Sequence, residues 1–277
     1  MKLNTNKKIL FLSFLVLALF SIFVCGQENS KKATQNDDSA KQRAKEIITE
    51  AQKAISKKTD VSKLKSVFIS FEGTFDGGVE IKEKNDLSIV FPNKVRIDRF
   101  FDTGQAKGTT IFKLNENVYS EQTEAVQNGK NISKFRKAED PKDEGLRFIK
   151  SESSNMLLPI ILGFPWYAPL EFSYVGVAEA ENVKADVLEA ISATGVKYQL
   201  LFGRDSHQLL MMIKSRTTTD NKPVAVKYFF SDYKENSGLN IPHKITIQGD
   251  KTFEEKNIKN FKINPEFNSD LFVIKDK

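Results

Sequence analysis

Apolar residues recur along this chain at two spacings, and each change of spacing marks a change of element. From Leu64 the spacing is two: Val67, Ile69, Phe71 and Phe75 fall on one side, Ser66, Ser70 and Glu72 on the other. That alternation predicts a strand with one buried face. Asp76-Gly77-Gly78 predicts a hairpin turn, after which Val79 and Ile81, then Leu87, Ile89 and Phe91, carry the returning strand. Pro92-Asn93-Lys94 interrupts it, and Val95, Ile97 and Phe101 open the next strand, followed by Ile111, Phe112 and Leu114 and by Val118 and Tyr119. Residues 120–137 are polar and fit neither spacing. Strands resume over 172–177, 186–193, 196–202, 209–215 and 224–230. A turn over 233–239, a strand with Ile241, Ile245 and Ile247, a second turn at 248–251 and a strand over 253–263 complete an antiparallel meander.

Two stretches follow the helical spacing instead. Ala40, Ala44, Ile47, Ile48, Ala51 and Ile55 stand three and four apart, behind Ser39 and Gln42 in capping-box positions. Asp140 and Pro141 suit the N-cap and first turn of a second helix, whose Leu146, Phe148, Ile149, Met156, Leu157 and Leu158 carry it to about Leu158. Residues 156–167 are the most apolar stretch after the N-terminus, and Pro159 and Pro165 prevent one straight helix there. They read as a core helix-turn or as a mobile apolar lid. About eleven strands with an early and a middle helix predict a mainly β fold: one large, curved antiparallel sheet forming an incomplete barrel.

The N-terminus stands apart. Lys2, Lys7 and Lys8 precede an apolar run from position 9 to 24, so residues 1–26 read as a signal peptide; the run is short for a membrane span of roughly 20 residues. Val24 and Gly26 fit cleavage before Gln27; Cys25, the sole cysteine, is the rival lipidation site, although Ile22-Phe23-Val24 is a poor lipobox. Residues 27–38 carry no apolar side chain larger than that of Ala33 and predict a disordered tether, leaving 39–277 as a single domain. The expected location is the periplasm, with a lipid anchor through Cys25 as the alternative.

Composition narrows the function. The 42 basic residues less the three signal lysines leave 39 against 36 acidic ones, too even for a nucleic-acid binder. Phe outnumbers Tyr 22 to 6, which suits a large core or a greasy cavity. His207 and His243 are the only histidines, no cluster has metal-ligand spacing, and no nucleophile elbow or phosphate loop occurs. The expectation is a protein without catalytic residues, metal or cofactor. Arg99 breaks its pattern by sharing the parity of Val95, Ile97 and Phe101. It needs a carboxylate, carbonyls or an anionic ligand head there, unless a bulge turns it to solvent.

Several motifs are familiar. Asp232-Tyr233, the run Gly238-Leu239-Asn240-Ile241-Pro242-His243-Lys244-Ile245, and Asn264-Pro265-Glu266-Phe267 with Leu271-Phe272 resemble the close of the outer-membrane lipoprotein carrier and sorting family, the LolA/LolB-like half-barrels. Phe91-Pro92-Asn93-Lys94-Val95-Arg96 resembles the same family. The resemblance implies helices on the concave face of the sheet and an apolar hollow beneath them. The expected ligand-contacting residues are Ile69, Phe71, Ile89, Phe91, Val95, Ile97, Arg99, Leu157, Leu158 and Trp166. The implied ligands are acyl chains of lipids or lipoproteins, with transport partners at the inner and outer membranes. The alternative is an envelope scaffold or stress-sensing interaction domain whose sheet interior is filled.

Overall fold

A computed structural model describes residues 33–56, 59–162, 170–180, 183–192, 195–217 and 223–275. Along the chain these form α1 (Ala33–Ile55), β1 (Ser66–Asp76), β2 (Glu80–Val90), β3 (Lys94–Asp102), β4 (Ala106–Asn115), β5 (Val118–Gln127) and β6 (Lys130–Ala138). Then come α2 (Glu144–Ile161), β7 (Leu170–Ala180), β8 (Val183–Ser192), β9 (Lys197–Gly203), β10 (Leu209–Thr217), β11 (Pro223–Asn236), β12 (Leu239–Gln248) and β13 (Phe253–Ile263). All thirteen described strands join one antiparallel sheet in the order β6-β5-β4-β3-β2-β1-β13-β12-β11-β10-β9-β8-β7. The first and last strands of the chain meet in the middle, β1 against β13, while β6 and β7 are the two edges. The sheet is a half-open barrel.

That topology puts α2 where it is. The chain leaves one edge at β6 and re-enters at the other at β7, with α2 between them. α2 packs on β3, β4, β5 and β12, and α1 on β7 and β12. Val67, Ile69, Leu87, Ile89, Val95, Leu188, Leu200, Met212 and Ile245 from the sheet, Ala44, Ile47 and Ala51 from α1, and Leu146, Ile149 and Leu157 from α2 make one buried cluster. Each of the larger side chains among them contributes about 1.5–3 kcal/mol relative to exposure, so burial rather than helix propensity holds both helices down.

The outer face is clasped by the C-terminal segment. Asn264 Oδ1 accepts from Lys65 N at 2.7 Å, Ser66 Oγ donates to the Pro265 carbonyl at 2.8 Å, and Phe272 is buried in a short 3₁₀ turn, Ser269–Phe272. Arg96 and Lys113 donate to the carbonyls of Leu271 and Val273. The closing motif therefore fixes the tail across β1, β3 and β4.

Four expectations change. Residues 120–137 lie in the β5–β6 hairpin, turned at Asn128-Gly129 with φ of 50° and 74°. Its strands lack alternation because β6 is a charged edge strand with little to bury. α1 starts at Ala33, so residues 33–38 of the expected tether are helical and Ser39 is no cap; a packed helix extends into polar sequence at little cost. The N-cap of α2 is Asp143, which accepts from Gly145 N and Leu146 N, whereas Asp140 closes the preceding turn on Lys142 N. Finally, Asp232-Tyr233 lies inside β11, with Asp232 at φ 56° and the register against β12 unchanged on either side of it, and the chain turns at Ser237-Gly238.

Candidate functional site: the seam under α2

Register lines up the concave face of β1–β5 in rows. Val95, Ile97, Phe112, Leu114, Leu87, Ile89, Val67 and Ile69 pair across neighbouring strands and form an apolar floor. The next row outward is Thr123, Thr110, Arg99, Asn85 and Phe71, residue opposite residue on β5, β4, β3, β2 and β1. Beyond it, Glu83 faces Gly73, which in turn faces Lys256 on β13. The concave face is thus apolar at one end and polar at the other.

α2 spans both parts. Leu146, Ile149, Met156, Leu157 and Leu158 bury in the cluster above the floor. Gly145 permits the close start: a Cβ there would lie 2.3 Å from the Tyr119 ring. Pro159 sits in the last turn, leaving the Asn155 carbonyl without its helical N–H.

Four polar contacts pin α2 and its end. Lys256 Nζ meets Glu152 at 3.1 Å, Lys214 Nζ donates to Ser151 Oγ at 2.6 Å, Asn155 Nδ2 donates to Tyr228 OH at 3.2 Å, and Gln52 of α1 donates to the Leu162 carbonyl at 2.8 Å. Lys256 is 3% exposed and also meets Glu254 at 2.8 Å. Burial alone lowers the Lys256 ammonium pKa, but Glu152 and Glu254 more than offset it, and the net shift is upward. Burial raises the Glu152 carboxyl, and Lys256, Arg99 and Lys214 together pull it below its ordinary value. Burial, with Glu152 and Glu254 nearby, pushes the Tyr228 hydroxyl well up.

β3 pairs without a register break on both sides, so no bulge turns Arg99 away. Its side chain is 29% exposed and borders a cavity of about 20 Å³ with Phe71, Leu87, Ile97, Phe148 and Met156. That volume holds about one water. A second cleft of about 370 Å³ opens at the turn end of the seam, between Lys150 and Ser154 of α2 and Pro92, Asn93, Val95, Leu114, Glu116 and Asn117. A larger depression, about 520 Å³, lies on the outer face among Glu72, Lys82, Lys84, Asp102 and Lys259. It is open, with Phe100 and Phe101 among its charged side chains, and no described helix covers it as α2 covers the seam.

The expected site residues sort clearly. Ile69, Phe71, Ile89, Val95, Ile97, Leu157 and Leu158 converge in the cluster under α2, with Phe91 packed against it and Arg99 at its polar margin. Trp166 and Cys25 lie outside the described residues. His207 sits in the β9–β10 turn and His243 on β12. Glu152, Glu254 and Lys256 were not singled out in the sequence.

No protein-family model and no curated protein sequence matches the chain. Among solved structures, a LolA superfamily protein from Nitrosomonas europaea superposes over 83% of this chain and 97% of that one, with a TM-score of 0.52 at 7% identity. The chain has the LolA-like fold. An outer membrane lipoprotein-sorting protein domain from Vibrio parahaemolyticus aligns over 83% and 96% at 10% identity, TM-score 0.48. A family protein of unassigned function from Desulfovibrio piger aligns over 84% and 97% at 9% identity, TM-score 0.49. In this LolA-like sheet, the seam under α2 is the concave face named in the sequence expectation.

Proposed function

We propose that the protein is a cell-envelope carrier that shelters acyl chains of lipids or lipoproteins between the concave face and α2. The observation that carries this reading is the seam: an apolar floor covered by one helix with a proline in its last turn, beside a cleft of about 370 Å³ at the turn end of the sheet. Carriage needs no covalent chemistry, and the protein acts as a binder rather than an enzyme. Residues 1–26 export it, and it exchanges its load with partners at the two membranes. Intact mass tests this part: a mature chain beginning at Gln27 is expected, and an acylated Cys25 overturns free carriage in the periplasm.

One observation favours the second reading, an envelope scaffold or stress-sensing domain. Val67, Ile69 and Ile89 are fully buried, and the cavity beside Arg99 holds no more than about 20 Å³, so the interior is largely filled. Mass spectrometry of organic extracts of the purified mature protein separates the two. Co-purifying acyl lipid supports carriage; a lipid-free protein that also leaves an acyl probe unbound supports the scaffold.

A further inference from the structure

Among the described residues of this face, Arg99 is a cation whose buried Nε makes no hydrogen bond. Lys256 is held by two carboxylates, Glu152 at 3.1 Å and Glu254 at 2.8 Å. Arg99 has Glu83 at 3.9 Å, beyond the 2.7–2.9 Å of a charge-assisted hydrogen bond. Its Nε is buried and makes no hydrogen bond, and the same holds for Asn85 Oδ1, its cross-strand neighbour. The Glu83 carboxylate accepts instead from Asn85 Nδ2 at 3.2 Å. Leaving buried donors unmade is costly, so the position favours an incoming acceptor.

The surroundings say what kind. Inward from Arg99 lie Ile97, Leu87, Phe71 and Phe112; the covering side chains from α2 are Phe148, 37% exposed, Met156, a flexible thioether, Ser153 and Glu152, whose carboxylate is bound by Lys256 at 3.1 Å. A planar fork of donors at the margin of an apolar floor matches an anionic head followed by an aliphatic tail. We propose that the seam takes single-chain anionic amphiphiles, with a carboxylate or phosphate head on Arg99 and the tail along the floor toward Val95 and Leu114. This deepens the carrier reading and rests on it. The tail enters by displacing Phe148 and Met156, because the existing cavity is water-sized.

The test displaces a neutral apolar dye, N-phenyl-naphthylamine, from the mature protein. The competitors are palmitate, hexadecyl phosphate and the uncharged methyl palmitate, each below its aggregation threshold. One or both anions should compete about tenfold or more better than the ester, as expected for a hydrogen bond to a charged group; their order separates a carboxylate from a phosphate head. Arg99→Gln should abolish the preference by weakening the anions far more than methyl palmitate, Arg99→Lys should retain part of it, and Glu83→Gln should enlarge it. Melting curves of the variants confirm that they fold. Equal competition by anions and ester, or an equal loss of both in Arg99→Gln, overturns the head-group site while leaving the carrier reading intact. If neither dye nor competitor binds, the carrier reading falls, and this inference with it.

Discussion

Replacing Lys256 by Met removes the one cation shared by two carboxylates beneath α2. At 3.1 and 2.8 Å the pairs with Glu152 and Glu254 are each worth about 5–6 kcal/mol of gross Coulomb attraction at an effective dielectric of about 20. Desolvating the ions opposes this by several kcal/mol per ion, so the intact triad is close to neutral in net stability. Taking away the lysine alone leaves two carboxylates facing the same buried space. The expected cost is about 3–5 kcal/mol, a fall in Tm of roughly 6–20 °C at about 2–4 °C per kcal/mol for a domain of this size. Met fills most of the volume, so little of that is cavity. The companion variant Lys256→Met/Glu152→Gln/Glu254→Gln removes the stranded charges and should recover most of the loss. Thermal unfolding followed by circular dichroism reads both. A Lys256→Met protein melting within a degree or two of the parent refutes the triad, and so does a triple variant no better than the single one.

Three further outcomes follow from the same geometry. Glu152 has a folded pKa below its ordinary 4.5, so its contribution is present above about pH 4.5 and lost as pH falls further; urea midpoints across pH 3–7 should show that acid loss in the parent and a smaller one in Glu152→Gln. Gly145→Ala should cost about 1–3 kcal/mol, because the added methyl meets the Tyr119 ring at 2.3 Å and pushes the start of α2 off β5; an unchanged urea midpoint contradicts that close approach. Ile97→Glu, at a position 7% exposed on the filled floor, should lose several kcal/mol, whereas Asp98→Ala on the opposite face gives up a partly buried pair with Arg96 worth about 1.5–3 kcal/mol; equal melting shifts at 97 and 98 mean that the strand parity is wrong.

What the sequence made legible depended on whether burial imposed a pattern. β1, β2 and β3 were readable because the buried Val67, Ile69, Leu87, Ile89, Val95 and Ile97 alternate with polar neighbours such as Ser66, Ser70, Ser88, Arg96 and Asp98. Arg99 stood out against that background because its parity companions are apolar. The β5–β6 hairpin left no such trace: its strands run out to an edge, and Asn128-Gly129 was its sole strong signal. The polar half of the site was hidden for a related reason. Glu254 and Lys256 share the parity of Ile258, but the bulge near Lys259 shifts the frame before Phe261, and the strand reads as unpatterned. Nothing local links Glu152 to Lys256; the chain crossing from β6 to β7 brings them together.

That crossing also reconciles a filled interior with carriage. Lifting α2 exposes Leu146, Ile149, Met156, Leu157 and Leu158, at about 1.5–3 kcal/mol each, so the helix does not leave an empty floor. The polar pins oppose opening far less, because Lys256, Lys214, Ser151, Asn155 and Tyr228 can exchange their partners for water. An acyl chain of about 14 methylenes, at about 0.8 kcal/mol each, brings on the order of 10 kcal/mol of burial, comparable to what the five side chains give up. On the carrier reading, α2 and the ligand tail compete for the same floor. On the same reading the polar contacts add the smaller share: Glu152 holds the helix through Lys256, and Arg99 is offered to the head of the ligand.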